Sequence, residues 1–122
     1  MPNRLLVVDD AAIIRAMISD AAQEAGWEVV GEGKNGKEGA ELHQKLSPDV
    51  TTLDLVMPDY DGLYALRTIM ANDPEAIVVV VSALHQKPVL EEAFKLGAAD
   101  FLIKPFQKSQ LIETINQLAA VC

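Results

Sequence analysis

The chain has 122 residues, half of them hydrophobic, with 18 acidic against 10 basic residues and a formal charge of −8. That length suits one domain, spanning 1–122, whose core needs no disulfide or structural metal, and the lone Cys122 excludes an internal disulfide and fits a reducing compartment. The acidic balance argues against nucleic acid or an anionic membrane as partner, no apolar stretch approaches the roughly 20 residues that a bilayer needs, and the run after Arg4 is too short for a signal-peptide core, so a cytoplasmic protein is expected.

In chain order, residues 5–8 form a short apolar run rich in valine and predict a first strand. Ile13, Ile14, Met17, Ile18 and Ala21 then recur at helical spacing. A second strand is expected at 27–30, where Trp27 serves packing, and a second helix over 37–46. The third strand falls at 50–53, followed by a helix whose face carries Leu63, Leu66, Ile69 and Met70. Residues 77–81, Ile-Val-Val-Val-Val without polar interruption, read as a strand buried on both faces. Pro88 suits the first turn of a helix over 88–96, and Gly97 the left-handed residue just past its end. A last strand at 101–103 precedes a helix marked by Leu111, Ile112, Ile115 and Leu118. This alternation implies an α/β fold, a five-stranded parallel sheet with helices on both faces, in which ligands bind beyond the carboxyl ends of the strands.

Those strand ends carry Asp9 and Asp10, Asp54, Ser82 and Lys104. Each alone has an ordinary explanation, since Asp and Ser commonly cap helices and a lysine before proline is usually solvated. Together they converge from four strands on one edge. Two like charges about 4 Å apart repel by about 4 kcal/mol at an effective dielectric near 20. Lys104 supplies one positive charge against three carboxylates, so a hard divalent ion with oxygen ligands is expected. Magnesium, which combines one or two carboxylates with waters and phosphate oxygens, points to phosphate chemistry.

At this point the motifs Val7-Val8-Asp9-Asp10, Leu53-Asp54-Leu55-Val56-Met57-Pro58, Asp61-Gly62, Ser82-Ala83 and Lys104-Pro105-Phe106 resemble, over nearly the whole chain, the receiver domain of two-component response regulators. The pattern is most similar to the single-domain chemotaxis regulators of the CheY type, which share a flavodoxin-like (βα)5 fold. The resemblance implies that Asp54 is the phosphoacceptor and takes its phosphoryl group from a histidine kinase. It implies Mg2+ held by Asp10, Asp54 and the backbone carbonyl of Val56, with Asp9 holding a metal-bound water. Lys104 and Ser82 would contact phosphoryl oxygens, Ala83 would leave the site open, and the Lys104–Pro105 peptide would be cis. Phe101 would be the switch aromatic, moving inward as Ser82 shifts. Val56 and Leu84, both apolar, would leave an attacking water unpositioned and self-dephosphorylation slow. The family's implied partners are the kinase, a downstream target such as a flagellar motor component, and a phosphatase. The protein itself would be a monomer that catalyses only its own phosphorylation and dephosphorylation and is not otherwise an enzyme.

Four other readings compete with this one. Gly31, Gly33 and Gly36 match the G-x-G-x-x-G pattern of a dinucleotide-binding oxidoreductase, with Asp54 close to 20 residues beyond, but that reading leaves the acidic pair, Ser82 and Lys104 unexplained; otherwise these glycines serve turns around the second strand. A flavodoxin-like carrier is disfavoured because Asp9 and Asp10 would repel its phosphate, and a phosphatase with an aspartate nucleophile because Val56 stands where its second acid belongs. The receiver half of a DNA-binding transcriptional regulator is disfavoured because residues 97–100 hold one acid and residues 111–122 no Arg or Lys; whether Cys122 is a natural end stays open. His43 and His85, lacking metal-ligand spacing, are expected on the solvated surface without a role.

Overall fold

Parallel neighbours cannot be joined by tight turns, so each apolar run of this sequence must be followed by a crossover long enough to return the chain. In the computed structural model, which describes residues 3–57, 61–83 and 86–120, every crossover contains a helix. Pro58, Leu84, His85 and Cys122 lie outside the described residues. The elements are β1 (Arg4–Val8), α1 (Ala12–Glu24), β2 (Glu28–Gly33), α2 (Gly36–Leu46), β3 (Val50–Leu53), α3 (Gly62–Asn72), β4 (Val78–Ser82), α4 (Lys87–Lys95), β5 (Asp100–Ile103) and α5 (Lys108–Ala120). The strands form one parallel sheet in the order β2-β1-β3-β4-β5. Among the described residues no helix is long and apolar enough to cross a membrane.

Successive side chains of a strand point to opposite faces, and the core divides accordingly. Leu5, Val7, Val79 and Val81 pack under α1 and α5 with Ile18, Ala22, Leu111 and Ile115. Leu6, Val8, Leu53, Val78 and Val80 pack under α2, α3 and α4 with Ala40, Leu66, Ile69 and Ala93. Because β1 and β4 are covered on both sides, Leu5 to Val8 and Val78 to Val81 are uninterrupted apolar runs. Gly97 adopts the expected left-handed conformation (φ +112°), and Pro88 lies in the first turn of α4.

The second strand differs from its predicted span of 27–30: it starts one residue later and continues to Gly33. Trp27 precedes it, buried, with its indole N–H donating to Asn116 Oδ1 at 2.8 Å. The β1–β2 register shifts between Leu5, opposite Val29, and Leu6, opposite Gly31, leaving Val30 as an extra residue. Gly31 and Gly33 are therefore strand residues opposite Leu6 and Val8, and Gly36 is the first residue of α2, behind the Asn35 cap. A Cβ on Gly31 would lie 2.8 Å from Leu46 Cδ1, and one on Gly33 would lie 3.2 Å from the Gly39 backbone nitrogen. These glycines let α2 press against β2. They form neither a phosphate-cradling loop nor turns, which corrects both sequence readings of them.

His43 also departs from expectation: it is 5% exposed, not solvated. It completes the buried face of α2 with Gly36, Gly39 and Ala40, a stripe whose spacing is helical but whose small residues hide it from a hydrophobic pattern. Burial pushes its pKa below the usual 6.5, against the opposing pull of Asp73. A base with a depressed folded pKa lets the unfolded chain bind the extra proton first, so stability falls as pH drops below about 6.5. We predict that urea unfolding at about pH 7.5 and about pH 5.5 will show a smaller acid loss for His43→Gln than for the native protein; equal losses would assign the acid sensitivity to other groups.

Candidate functional site

The chain leaves β1 toward β2 on one side and β3 toward β4 on the other, so a crevice opens where the carboxyl ends of β1 and β3 lie side by side. Asp9 and Asp10 follow β1 and Asp54 follows β3. The sheet pattern continues into both loops, with the Asp9 N–H donating to Gly33 O and the Asp54 N–H to Val8 O, each at 3.0 Å. Both aspartates are buried, while Asp10 is exposed. One carboxylate oxygen from each of the three can be chosen so that all lie within 4.8 Å of one another.

Lys104 enters this cluster from the end of β5, its backbone N–H donating to Ser82 O at 3.0 Å. Its Nζ lies 2.7 Å from Asp9 Oδ2 and 3.6 Å from Asp54 Oδ2, so its charge is spent mainly on Asp9. The peptide to Pro105 is cis, as the motif implied. Ser82 ends β4 with no solvent exposure. Val56 adjoins the cluster, 56% exposed, and its N–H donates to Asp54 Oδ1 in a long 3.4 Å contact. Phe101 sits further back, opposite Val80 in register, half-buried against the core on the α2–α4 face.

The Asp61-Gly62 motif acquires a physical reason here. Asp61 Oδ1 caps α3 by accepting from the Tyr64 N–H at 2.9 Å, and the Gly62 N–H donates to Leu55 O at 3.1 Å. A Cβ at position 62 would stand 2.1 Å from the Asp54 carbonyl oxygen and 2.5 Å from Leu55 Cα. Only a glycine lets the start of α3 lie so close under the Asp54 backbone.

Burial is the largest influence on the Asp54 carboxyl and raises its pKa. Lys104 acts in the opposite direction, Asp9 and Asp10 add to the rise, and the Val56 N–H opposes it. One ammonium thus serves three carboxylates, and the ionised form of Asp54 is held at a free-energy cost. The donors available to a cation are carboxylate oxygens, with no histidine or cysteine among them, which fits a hard divalent ion of the magnesium or calcium class better than a soft one.

The structure brings Asp9, Asp10, Asp54, Ser82 and Lys104 to one edge, as the sequence implied. It also reveals a residue that the sequence reading passed over. Arg15, on α1, donates from Nη1 to the Asp9 carbonyl oxygen at 2.7 Å and from Nε to Glu32 Oε1 at 3.1 Å. A lone arginine within an amphipathic helix gives no periodic signal, and only the close packing of α1 against the end of β1 brings it to the site.

Comparison with known proteins agrees with this architecture. The response regulator receiver domain family matches residues 5–116. The chain is 44% identical over 119 residues to the chemotaxis protein CheY of Thermotoga maritima, covering 98% of this chain and 99% of that one. It is 42% identical over 117 residues to the CheY of Bacillus subtilis, covering 96% and 98%. Among solved structures, CheY in a CheX–CheY–BeF3–Mg2+ complex from Borrelia burgdorferi superposes with a TM-score of 0.94 at 25% identity, covering 97% of this chain and 90% of that one. With five parallel strands, five helices and an acidic cluster at the β1–β3 crevice, the chain belongs to the response regulator receiver family and is homologous to its chemotaxis regulators.

Proposed function

We propose that the chain is a phosphorylation-driven switch of chemotaxis or motility signalling, with Asp54 as the phosphoacceptor. The observation that carries this reading is the placement of a buried carboxylate between a lysine and two further carboxylates whose oxygens lie within 4.8 Å of its own. Asp54 attacks phosphorus on a histidine kinase's phosphohistidine, the P–N bond breaks, and the imidazole leaves. The product is an aspartyl phosphate. Such a transfer needs positioning and charge neutralisation more than covalent assistance. Asp10, Asp54 and the Val56 carbonyl would hold Mg2+ and Asp9 a water bound to it; the ion would balance charge on the carboxylates and on the phosphoryl oxygens. Lys104, shared between Asp9 and Asp54, would turn toward the added phosphoryl group, and Ser82 would meet another of its oxygens.

Phe101, lacking a hydroxyl, can bury further without leaving a polar group unpaired, which supports it as the aromatic that reports the phosphorylated state. On this reading residues 1–122 are one receiver domain, working as a cytoplasmic monomer, with no turnover on a foreign substrate. Its partners are a kinase, a target such as a flagellar motor component and a phosphatase; binding to a further protein is supported by the relative solved in complex with CheX. Chemotaxis is favoured over DNA binding because chemotaxis proteins are matched over 98–99% of their length, whereas the transcriptional regulatory protein PdtaR is matched over 56% of its length.

Three outcomes test this proposal. Mass spectrometry after incubation with a small phosphodonor and magnesium should show one phosphoryl adduct on the native protein and none on Asp54→Asn; a stoichiometric adduct elsewhere in the variant would sink the assignment. The second follows from the raised pKa of Asp54: stability available below its ordinary 3.8 is lost as pH rises through the folded value. Asp54→Asn should therefore unfold at a higher temperature than the native protein at neutral pH in chelator, with the gap closing as pH falls toward 4, and a variant no more stable would contradict the strain assigned to this carboxylate. Thirdly, Val56→Asn should speed loss of the phosphoryl group about tenfold, which corresponds to about 1.4 kcal/mol from one water-positioning hydrogen bond. An unchanged decay after donor removal would show that position 56 does not set the lifetime.

A further inference from the structure

Every polar atom of Asp9 makes a hydrogen bond within the protein. Its N–H donates to Gly33 O at 3.0 Å, Oδ1 accepts from the Ala11 N–H at 2.9 Å, Oδ2 accepts from Lys104 at 2.7 Å, and its carbonyl oxygen accepts from Arg15 at 2.7 Å. The last of these bonds is unlike the others. β1 ends at Val8, and beyond it a guanidinium from α1 engages the Asp9 carbonyl. That guanidinium is itself tied to Glu32 on β2, and the Arg15 side chain is 13% exposed. A planar, rigid fork that engages two acceptors fixes both its own orientation and theirs.

We propose that Arg15 is a positioning residue for the acidic pair, fixing the Asp9–Asp10 peptide and thereby where Asp10 presents its carboxylate to a divalent cation. Asp10 is exposed and reaches the cluster through the peptide that it shares with Asp9. If that peptide rotates, the Asp10 oxygen leaves the group that now lies within 4.8 Å. This inference rests on reading the cluster as a cation site.

The role has a sign that distinguishes it from electrostatics. A positive charge beside a cation site repels the cation, so removing Arg15 would tighten magnesium binding if its charge were all that mattered. A positioning role gives weaker binding. Glu32→Gln reverses the comparison: it removes an attractive negative charge, yet leaves Arg15 bonded to Asp9.

The experiment is calorimetric titration of magnesium into the native protein, Arg15→Gln, Arg15→Lys and Glu32→Gln, with each variant's thermal midpoint recorded in chelator. Arg15→Gln should bind magnesium about tenfold more weakly, Arg15→Lys about threefold, and Glu32→Gln within about twofold of native. Arg15→Gln with native or tighter affinity overturns the proposal, and so does a lowered midpoint in chelator with affinity retained, which would make Arg15 a structural residue only. If Arg15→Gln does not fold, Arg15→Lys decides, because a single ammonium cannot hold both acceptors in one plane; native affinity in that variant overturns the proposal. Native protein that takes up no magnesium contradicts the cation-site reading itself and the inference with it, whereas tight native binding with unaffected Arg15 variants contradicts the inference alone.

Discussion

Among the described residues three carboxylates share one edge of the sheet with a single lysine, two of the three are buried, and the site is organised around that imbalance. Burial strips Asp54 of the water that would solvate its charge, Asp9 and Asp10 add repulsion, and Lys104, closer to Asp9, relieves the remainder only in part. A globular domain has no structural need for such an arrangement, which raises the free energy of the folded state while it stands uncompensated. The same imbalance provides a use. It favours a divalent cation, and on the proposed function the under-neutralised carboxylate is the one that would attack an electrophilic phosphorus.

The fold supplies the crowding through close backbone approach. Gly33 lets α2 seat against β2 and Gly39 lets it seat against Val8 of β1, and the Gly33 carbonyl in turn holds the Asp9 N–H. Gly62 lets the start of α3 lie against the Asp54–Leu55 backbone. A Cβ at position 62 would meet main-chain atoms, which cannot swing aside as a side-chain terminus can, so the accommodation would have to come from the loop that carries Asp54. The glycines of this chain are thus tied to the site's geometry as much as to turns.

Much of this was legible in the sequence. The buried runs of β1, β3 and β4, the alternation with helices and the polar residues placed just past strand ends all follow from periodicity, and they led to Asp9, Asp10, Asp54, Ser82 and Lys104 without coordinates. What periodicity could not show were features that depend on packing between elements. The extra Val30 in β2 and the continuation of that strand through Gly31 and Gly33 arise from pairing with β1, a partner distant in sequence. His43 is buried because its helix face is lined with glycine and alanine, which carry little hydrophobic signal. Arg15 became visible as a partner of Asp9 only once α1 was laid against the end of β1.

The same crowding links the acidic site to the likeness with chemotaxis regulators. A switch must hold two states close in energy, and on the proposed function a buried, charge-strained edge is where adding a cation and a phosphoryl group would shift that balance. The most direct measurement is carbon-13 NMR of the Asp54 carboxyl carbon as a function of pH, with chelator and with magnesium. The account predicts titration above the ordinary aspartate range in chelator and a downward displacement when magnesium is added. Titration in the ordinary range, unchanged by magnesium, would contradict the claim that a buried, under-neutralised carboxylate lies at the centre of this protein's function.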